Sequence, residues 1–255
     1  MATQTGSQAV ERASALLGLI VESGTPRTFS SLVDELGLAK STTSRLLQAL
    51  ERSRLVHRDR AGAFRPGALF SVYAARPSAQ HDLSELARST LERLSEQSKE
   101  TVTLSLARGS EMVQIDQVDS RFVVGAINWV GVDVPIHCTA AGKVLLAFGA
   151  LALPRGDLER RTAHSAVDRA HLEHVLVDVR RRGWAVSLDE LEIGLGAVAA
   201  PVRAADGTVV AAVAVCGPTA RINDRGITAL GDLLVAEARR LSALLSHDPA
   251  GKDAP

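Results

Sequence analysis

The sequence predicts an α+β chain in two parts: a small helical head, then a larger body in which helices flank a mostly antiparallel sheet. Three observations predict it. Residues 29–48 (FSSLVDELGLAKSTTSRLLQ) read as two short helices around a glycine turn. Two short strand-like pieces, LVHR and AFR, follow them around Asp59-Arg60-Ala61-Gly62. From about residue 101 the hydrophobic pattern turns to alternation, with a helical stretch on either side of it.

The head is taken first. Residues 9–22 read as a helix with Val10, Ala13, Leu17, Ile20 and Val21 on its packing side, stopped by Gly24 and Pro26. The next helix packs through Leu32, Val33 and Leu36. Ser30 or Ser31 is placed to cap its start, and Gly37 stands where a helix end takes a left-handed residue. A third helix runs over about residues 40–52. At 100° per residue Thr43, Leu46, Leu47 and Leu50 share one side, and Ser41, Ser44, Arg45, Gln48 and Arg52 the other. The strand-like pieces make a hairpin. Residues 67–76 (GALFSVYAAR) look like a connecting helix before Pro77, with more apolar residues than a bare linker needs.

Formal charge is zero over 255 residues but unevenly spread. Residues 1–76 hold ten Lys/Arg against six Asp/Glu, and residues 40–65 hold seven against two. The remainder is mildly acidic, with nineteen against twenty-three. A basic head on an acidic body implies a polyanion partner for the head. A helix fits the DNA major groove, and arginine and glutamine can each meet a base edge with two hydrogen bonds. Three helices and a basic hairpin therefore read as a winged helix-turn-helix on double-stranded operator DNA. Ser41, Ser44, Arg45 and Gln48 face the bases, Lys40 and Thr42 hold phosphate, and the hairpin's Arg58, Arg60 and Arg65 add backbone contacts. The competing reading is a helical hairpin with a solvated polar face, or a winged helix that binds protein.

In the body, residues 82–99 read as an amphipathic helix with Leu83, Leu86, Leu91 and Leu94 inward. Strands are expected over 101–107, 112–118, 122–126, 184–188, 197–203 and 208–216, the last two joined at Ala205-Asp206-Gly207. Helices are expected over 140–148, 168–182 and 225–245, and the tail 248–255 reads as disordered. Cys138-Thr139-Ala140-Ala141-Gly142-Lys143 opens the first of these helices with small residues. Unpaired amides and the helix dipole make such a start a physical site for a carboxylate.

The chain resembles the IclR family of bacterial transcriptional regulators along nearly its whole length. The head carries SQAVERASALLGLI, LGLAKSTTSRLLQALE and VHRDRAGAFRPG. The body carries VPIHCTAAGKVLLA, RRGWAVSLDELEIGLGAVAAPVR and VVAAVAVCGP. The family usually has proline at Ala39, valine at Thr43 and histidine at Ser44. The resemblance implies a winged helix-turn-helix over 7–67, a linker helix over 68–77 and a GAF-like effector-binding domain over 78–247. It also implies a homodimer or homotetramer, and a pocket lined by Val134, Ala140, Ala141, Ser187, Leu195, Ala197, Ala214 and Cys216. A carboxylate often stands in the family at Ser187, cysteine or serine at Ala197, and serines at Ala214 and Cys216. The loss of those polar groups leads us to expect a larger, less polar effector than a two- or three-carbon keto acid, such as an aromatic or medium-chain carboxylic acid.

Other signals are set aside. Ala141-Gly142-Lys143-Val144 lacks the first glycine and the hydroxyl residue of a P-loop. His171 and His174 lie one helical turn apart, but no further ligand pattern completes a metal site. His137 and Cys138, read as strand neighbours, would diverge. Asp189, Glu190 and Glu192 read as a solvated loop with Leu188, Leu191 and Ile193 facing in. No catalytic residue, metal or cofactor is expected; an enzyme in the body remains the competing class. The start lacks a secretory pattern, no run is long enough for a membrane span, and two cysteines suit a reducing cytoplasm. The reading is a cytoplasmic, sequence-specific transcriptional regulator, repressor or activator, controlled by a small carboxylic-acid metabolite.

Overall fold

The computed structural model describes residues 4–74, 78–122 and 134–246. The chain divides into two compact units, one through Ala79 and one from Gln80.

The first unit contains α1 (Gln4–Val21), α2 (Phe29–Leu36), α3 (Lys40–Arg52), β1 (Val56–Arg58), β2 (Phe64–Pro66) and α4 (Ala68–Ala74). Leu16, Ile20, Leu32, Leu47, Leu50, Val56 and Phe64 form its core. Leu16 and Ile20, one turn apart, carry the packing of α1, whereas Val10 and Val21, expected to pack, are exposed. The contact stripe of α1 is narrower than its apolar stripe. Thr28 caps α2 in place of Ser30 or Ser31, because the helix starts at Phe29 and only Thr28 keeps the extended backbone of a cap; its hydroxyl accepts from the Ser31 amide. Gly37 ends α2 at φ 61°. Arg27 adds a backbone bridge to Phe64 beside the β1–β2 hairpin. Residues 75–77 of the expected linker helix, and the tail 248–255, lie outside the described residues.

The second unit holds α5 (Ser78–Ser98), β3 (Thr101–Arg108), β4 (Glu111–Val118), a short 3-10 turn at Ile136–Cys138, α6 (Ala140–Ala147) and α7 (Arg169–Arg182). It continues with β5 (Ala185–Leu188), β6 (Leu195–Arg203), β7 (Val209–Pro218), α8 (Thr219–Asp224) and α9 (Ile227–Ser246). The five strands are antiparallel in the order β4-β3-β7-β6-β5. Alternation sorts each strand into two faces. Val102, Leu104, Val198, Val213 and Val215 meet α5 and α9 on one face. Ala199, Ala212 and Ala214 meet α6 and α7 on the other. The domain is thus a sheet between two helical layers.

Three expectations change here. Leu86 of α5 is exposed, since Ala87, Leu91 and Leu94 make the inward stripe. The closing helix runs as expected, as α9, and a short helix that was not expected, α8, precedes it across Gly226 at φ 80°. Phe122 lies in a bend under the Arg221 guanidinium, 4.6 Å from its ring centre, and the rest of the strand expected at 122–126 lies outside the described residues. His137 and Cys138 sit in the 3-10 turn, not in a strand.

Buried charge is paired. Glu100, fully buried, accepts two bonds from Arg221 at 2.6 and 2.8 Å. Glu237 of α9 takes Arg93 and Arg240. Trp184 lies against Gly231 of α9, where a Cβ would stand 2.4 Å from the indole. We predict that Gly231→Ala destabilises the second unit by about 1–3 kcal/mol, the range for overpacking a filled core. Urea unfolding followed by Trp fluorescence measures it.

Candidate nucleic-acid interface and ligand pocket

The sequence of α3 leaves one face with nothing to bury. Thr43, Leu47 and Leu50 are buried, and the Thr43 hydroxyl donates back to the Ala39 carbonyl at 3.3 Å. Lys40, Ser41, Arg45, Gln48 and Arg52 are exposed on the other side, with Thr42 and Ser44 half-buried at its edges. A groove between α1 and this face is lined by Ala9, Thr42, Arg45, Leu46, Gln48 and Arg52. The polar stripe is therefore open to a partner.

The hairpin arginines differ from one another. Arg58 stacks over the Phe64 ring at 4.6 Å and lies 3.4 Å from Glu51. Arg65 lies 3.4 Å from Asp59. Arg60 stands exposed at the tip. Asp59 shapes that tip: its carboxylate accepts from the amides of Ala61 and Ala63, each at 3.0 Å. The Ala63 amide, helped by Arg65, holds its carboxyl below the usual aspartate range.

The second unit encloses a cavity of about 70 Å³ on the α6 side of the sheet. All eight residues expected there line it: Val134, Ala140, Ala141, Ser187, Leu195, Ala197, Ala214 and Cys216. The strand register brings Ser187, Ala197 and Cys216 side by side in one row, with Ala214 one pleat along β7. α6 supplies the roof. Gly142 lets it start against the 3-10 turn, where a Cβ would stand 2.0 Å from the Ile136 carbonyl oxygen. The Thr139 hydroxyl caps the Gly142 amide at 3.0 Å. Ala140 and Ala141, whose amides precede the helical ladder, line the cavity.

Seven further residues line the cavity: Thr103, Ser105, Met112, Gln114, Cys138, Thr139 and Leu191. Thr103, Ser105 and Gln114 add polar groups to a wall that is otherwise largely apolar, and the Gln114 amide donates to Gln117 at 2.8 Å. A register shift between β3 and β4 sets Gln114 opposite Ser105, and Thr103 lies opposite Ala214. The signal was legible in TVTLSLA, where a strand buried on both faces carries Thr101, Thr103 and Ser105 on one of them. Ser187 contributes less than its position suggests, since its hydroxyl donates to the Cys138 carbonyl at 2.6 Å. Burial pushes the Cys138 thiol up, and pushes that of Cys216 up to about 11, so both are protonated and unreactive near neutrality. His137 turns away, its Nε2 donating to the Glu159 carbonyl at 2.9 Å.

The loop after β5 is not the solvated segment expected. Lys143 is buried, and its ammonium donates to Glu190 at 2.5 Å and to the Val186 carbonyl at 3.0 Å. Burial lowers its affinity for the proton, and Glu190 opposes that. Leu191 is buried and Leu188 half-buried, but Ile193 is 66% exposed. Asp189 holds the loop's left-handed turn at φ 59°, accepting from Gly194 at 2.7 Å and from the Thr219 hydroxyl at 2.6 Å.

Both halves of the chain match family models. The IclR helix-turn-helix domain matches residues 9–60, and the model for the C-terminal part of the bacterial transcriptional regulator IclR matches residues 77–243. The chain belongs to the IclR family of bacterial transcriptional regulators. It is 32% identical to the HTH-type transcriptional repressor AllR of Escherichia coli K12 over 250 residues, 95% of this chain and 92% of that one. The IclR crystal structure from Thermotoga maritima superposes with TM-score 0.61 and 25% identity, covering 94% of this chain and all of that one. An IclR homolog from Microbacterium hydrocarbonoxydans, crystallised with 4-hydroxybenzoate, shares the fold at TM-score 0.59 and 21% identity, covering 93% and 98%. This IclR-family chain thus carries a helix-turn-helix DNA-binding head and a C-terminal effector domain.

The Asp189 turn yields a pH prediction. Thr219 first, then the Gly194 amide, holds its carboxyl below 3.8, so the folded state binds fewer protons than the unfolded one in acid. That stability is fully present above the unfolded value and is lost as pH falls through the folded one. Asp189→Asn keeps a turn-tolerant residue and removes the titration. Its unfolding free energy is expected to depend less on pH than the parent's below about pH 4, as measured by urea titrations.

Proposed function

We propose that this regulator reads operator DNA through the exposed face of α3 and releases or rearranges on it when a small organic acid fills the cavity under α6. The observation that carries the reading is the join of an exposed, cationic face of α3 to a separate domain with a largely apolar pocket at a helix start. Ser41, Arg45 and Gln48, with Ser44 at the edge, face base edges. Lys40 and Thr42 hold phosphate, and Arg60 adds a backbone contact. Arg58 and Arg65 reach phosphate from inside ion pairs, so their share is smaller. Repression, the activity in AllR's name, is the mode we assign.

The effector's carboxylate meets the Ala140 and Ala141 amides. Its body lies against Met112, Leu195, Ala197 and Ala214, and a polar substituent reaches Thr103, Ser105 or Gln114. We keep an aromatic or medium-chain acid as its class. The cavity, at about 70 Å³, is smaller than the roughly 150 Å³ that holds a benzene. A ring acid therefore needs the wall to give way.

The protein acts as a homodimer or homotetramer, since two-fold heads read two half-sites. Leu69, Val72 and Tyr73 expose an apolar stretch of α4 suited to a second copy. Differential affinity of the effector for two arrangements of the paired heads supplies the regulation. We assign no catalysis, in keeping with relatives that are transcriptional regulators. No described helix is long and apolar enough to cross a membrane. We place the protein in the cytoplasm, with its DNA.

Two measurements test this. Arg45→Ala should cost about 1–3 kcal/mol at one base-pair position of the operator; an equal loss on scrambled sites, in gel shifts over a salt series, would reduce Arg45 to a phosphate contact. In a thermal-shift series from glyoxylate and pyruvate to benzoate and 4-hydroxybenzoate, the ring acids should stabilise most. Tight binding of the keto acids with none of the ring acids would overturn the effector class.

A further inference from the structure

The loop Asp189–Gly194 is held in place from three sides. Lys143, one turn into α6, pairs with Glu190. The Thr162 and Ser165 hydroxyls donate to the Asp189 and Glu190 carbonyls at 2.6 and 2.7 Å. Thr219 holds the Asp189 carboxylate. Between these anchors stands Leu191, 9% exposed. Its side chain lines two spaces at once. On its inner side is the cavity under α6. On its outer side is an open cleft lined also by Arg160, Arg161, Thr162, Glu192 and Ile193.

We propose that Leu191 is the partition between the ligand pocket and the outer cleft, that the Lys143–Glu190 pair positions it, and that it thereby sets the length of molecule the pocket accepts. The inference rests on the cavity being the effector site. Among the described residues Leu191 is the one that borders both spaces. Removing its branched end joins them and lengthens the pocket. Unlatching Glu190 leaves Leu191 in place but frees its backbone to shift outward. Lys143 and Glu190 touch no ligand; they act through the loop.

The chain's two cysteines allow a test that needs no effector. Both line the cavity; Cys138 is fully buried and Cys216 partly so. The full-length protein is alkylated over hours at about pH 9.5, where a small share of the Cys216 thiol is ionised, with iodoacetamide or with the longer N-benzyl iodoacetamide, and labelling of Cys216 is followed by peptide mass mapping. The parent should favour the short reagent by about tenfold, the scale on which an apolar pocket rejects surplus bulk. Leu191→Ala should abolish most of that preference, and Glu190→Gln should reduce it, with Glu190→Asp restoring it in part. Gly231→Ala, which strains the opposite helical layer, serves as the control for general loosening and should leave the ratio unchanged. A size preference that survives Leu191→Ala, or that Gly231→Ala removes equally, overturns the proposal. A thermal-shift screen in which no acid stabilises the parent would instead remove the effector reading and leave this size ratio standing.

Discussion

The start of α6 lies closer to the neighbouring backbone than any side chain would allow, and the pocket depends on that contact. Gly142 lets the helix rest on the Ile136 carbonyl. Thr139 can then cap the first turn, and Ala140 and Ala141 come to the cavity wall. The small residues beneath, Ala197 and Ala214, leave the space open. The same helix sends Lys143 down beside β5, where Glu190 and the Val186 carbonyl take its charge. A buried ammonium is costly unless it is paired and hydrogen-bonded. The pair therefore ties α6 to the loop that carries Leu191.

The head obeys a different constraint. Its core is seven side chains, centred on Phe64, Leu16 and Leu47. A core that small uses only one side of α3, and the other side has no apolar group to hide. Its polar face is thus a consequence of packing as much as of recognition. The wing is braced internally: Asp59 closes its tip, and Arg58 lies over Phe64. Bracing spends part of the wing's positive charge on neighbouring carboxylates and leaves Arg60 outward.

Much of this was legible along the chain. The period of Leu46, Leu47 and Leu50 and the glycine at 37 mark local preferences that the fold keeps. The family resemblance placed eight pocket residues, and each lines the cavity. It did not reach the β3 and β4 side of the wall, because Ser187, Ala197, Ala214 and Cys216 stand on β5, β6 and β7. Thr103, Ser105 and Gln114 stand on β3 and β4, and only the strand order sets β3 beside β7. Val10, Val21 and Leu86 were misread for a related reason. Periodicity tells which residues share a face, while the neighbouring element decides how much of that face is covered.

The order of elements, the exposed cationic face of α3 and the helix start at Ala140 follow from the sequence alone, since propensity, capping and periodicity act over a few residues. The tertiary structure decided the pairings across long separations. Lys143 meets Glu190 after 47 residues, and Arg221 meets Glu100 after 121. It also decided that Leu191 stands between two spaces while Ile193, two residues on, points outward. A charge or a leucine carries no local mark of its partner. Desolvation assigns one only when the sheet and its two helical layers have closed around it.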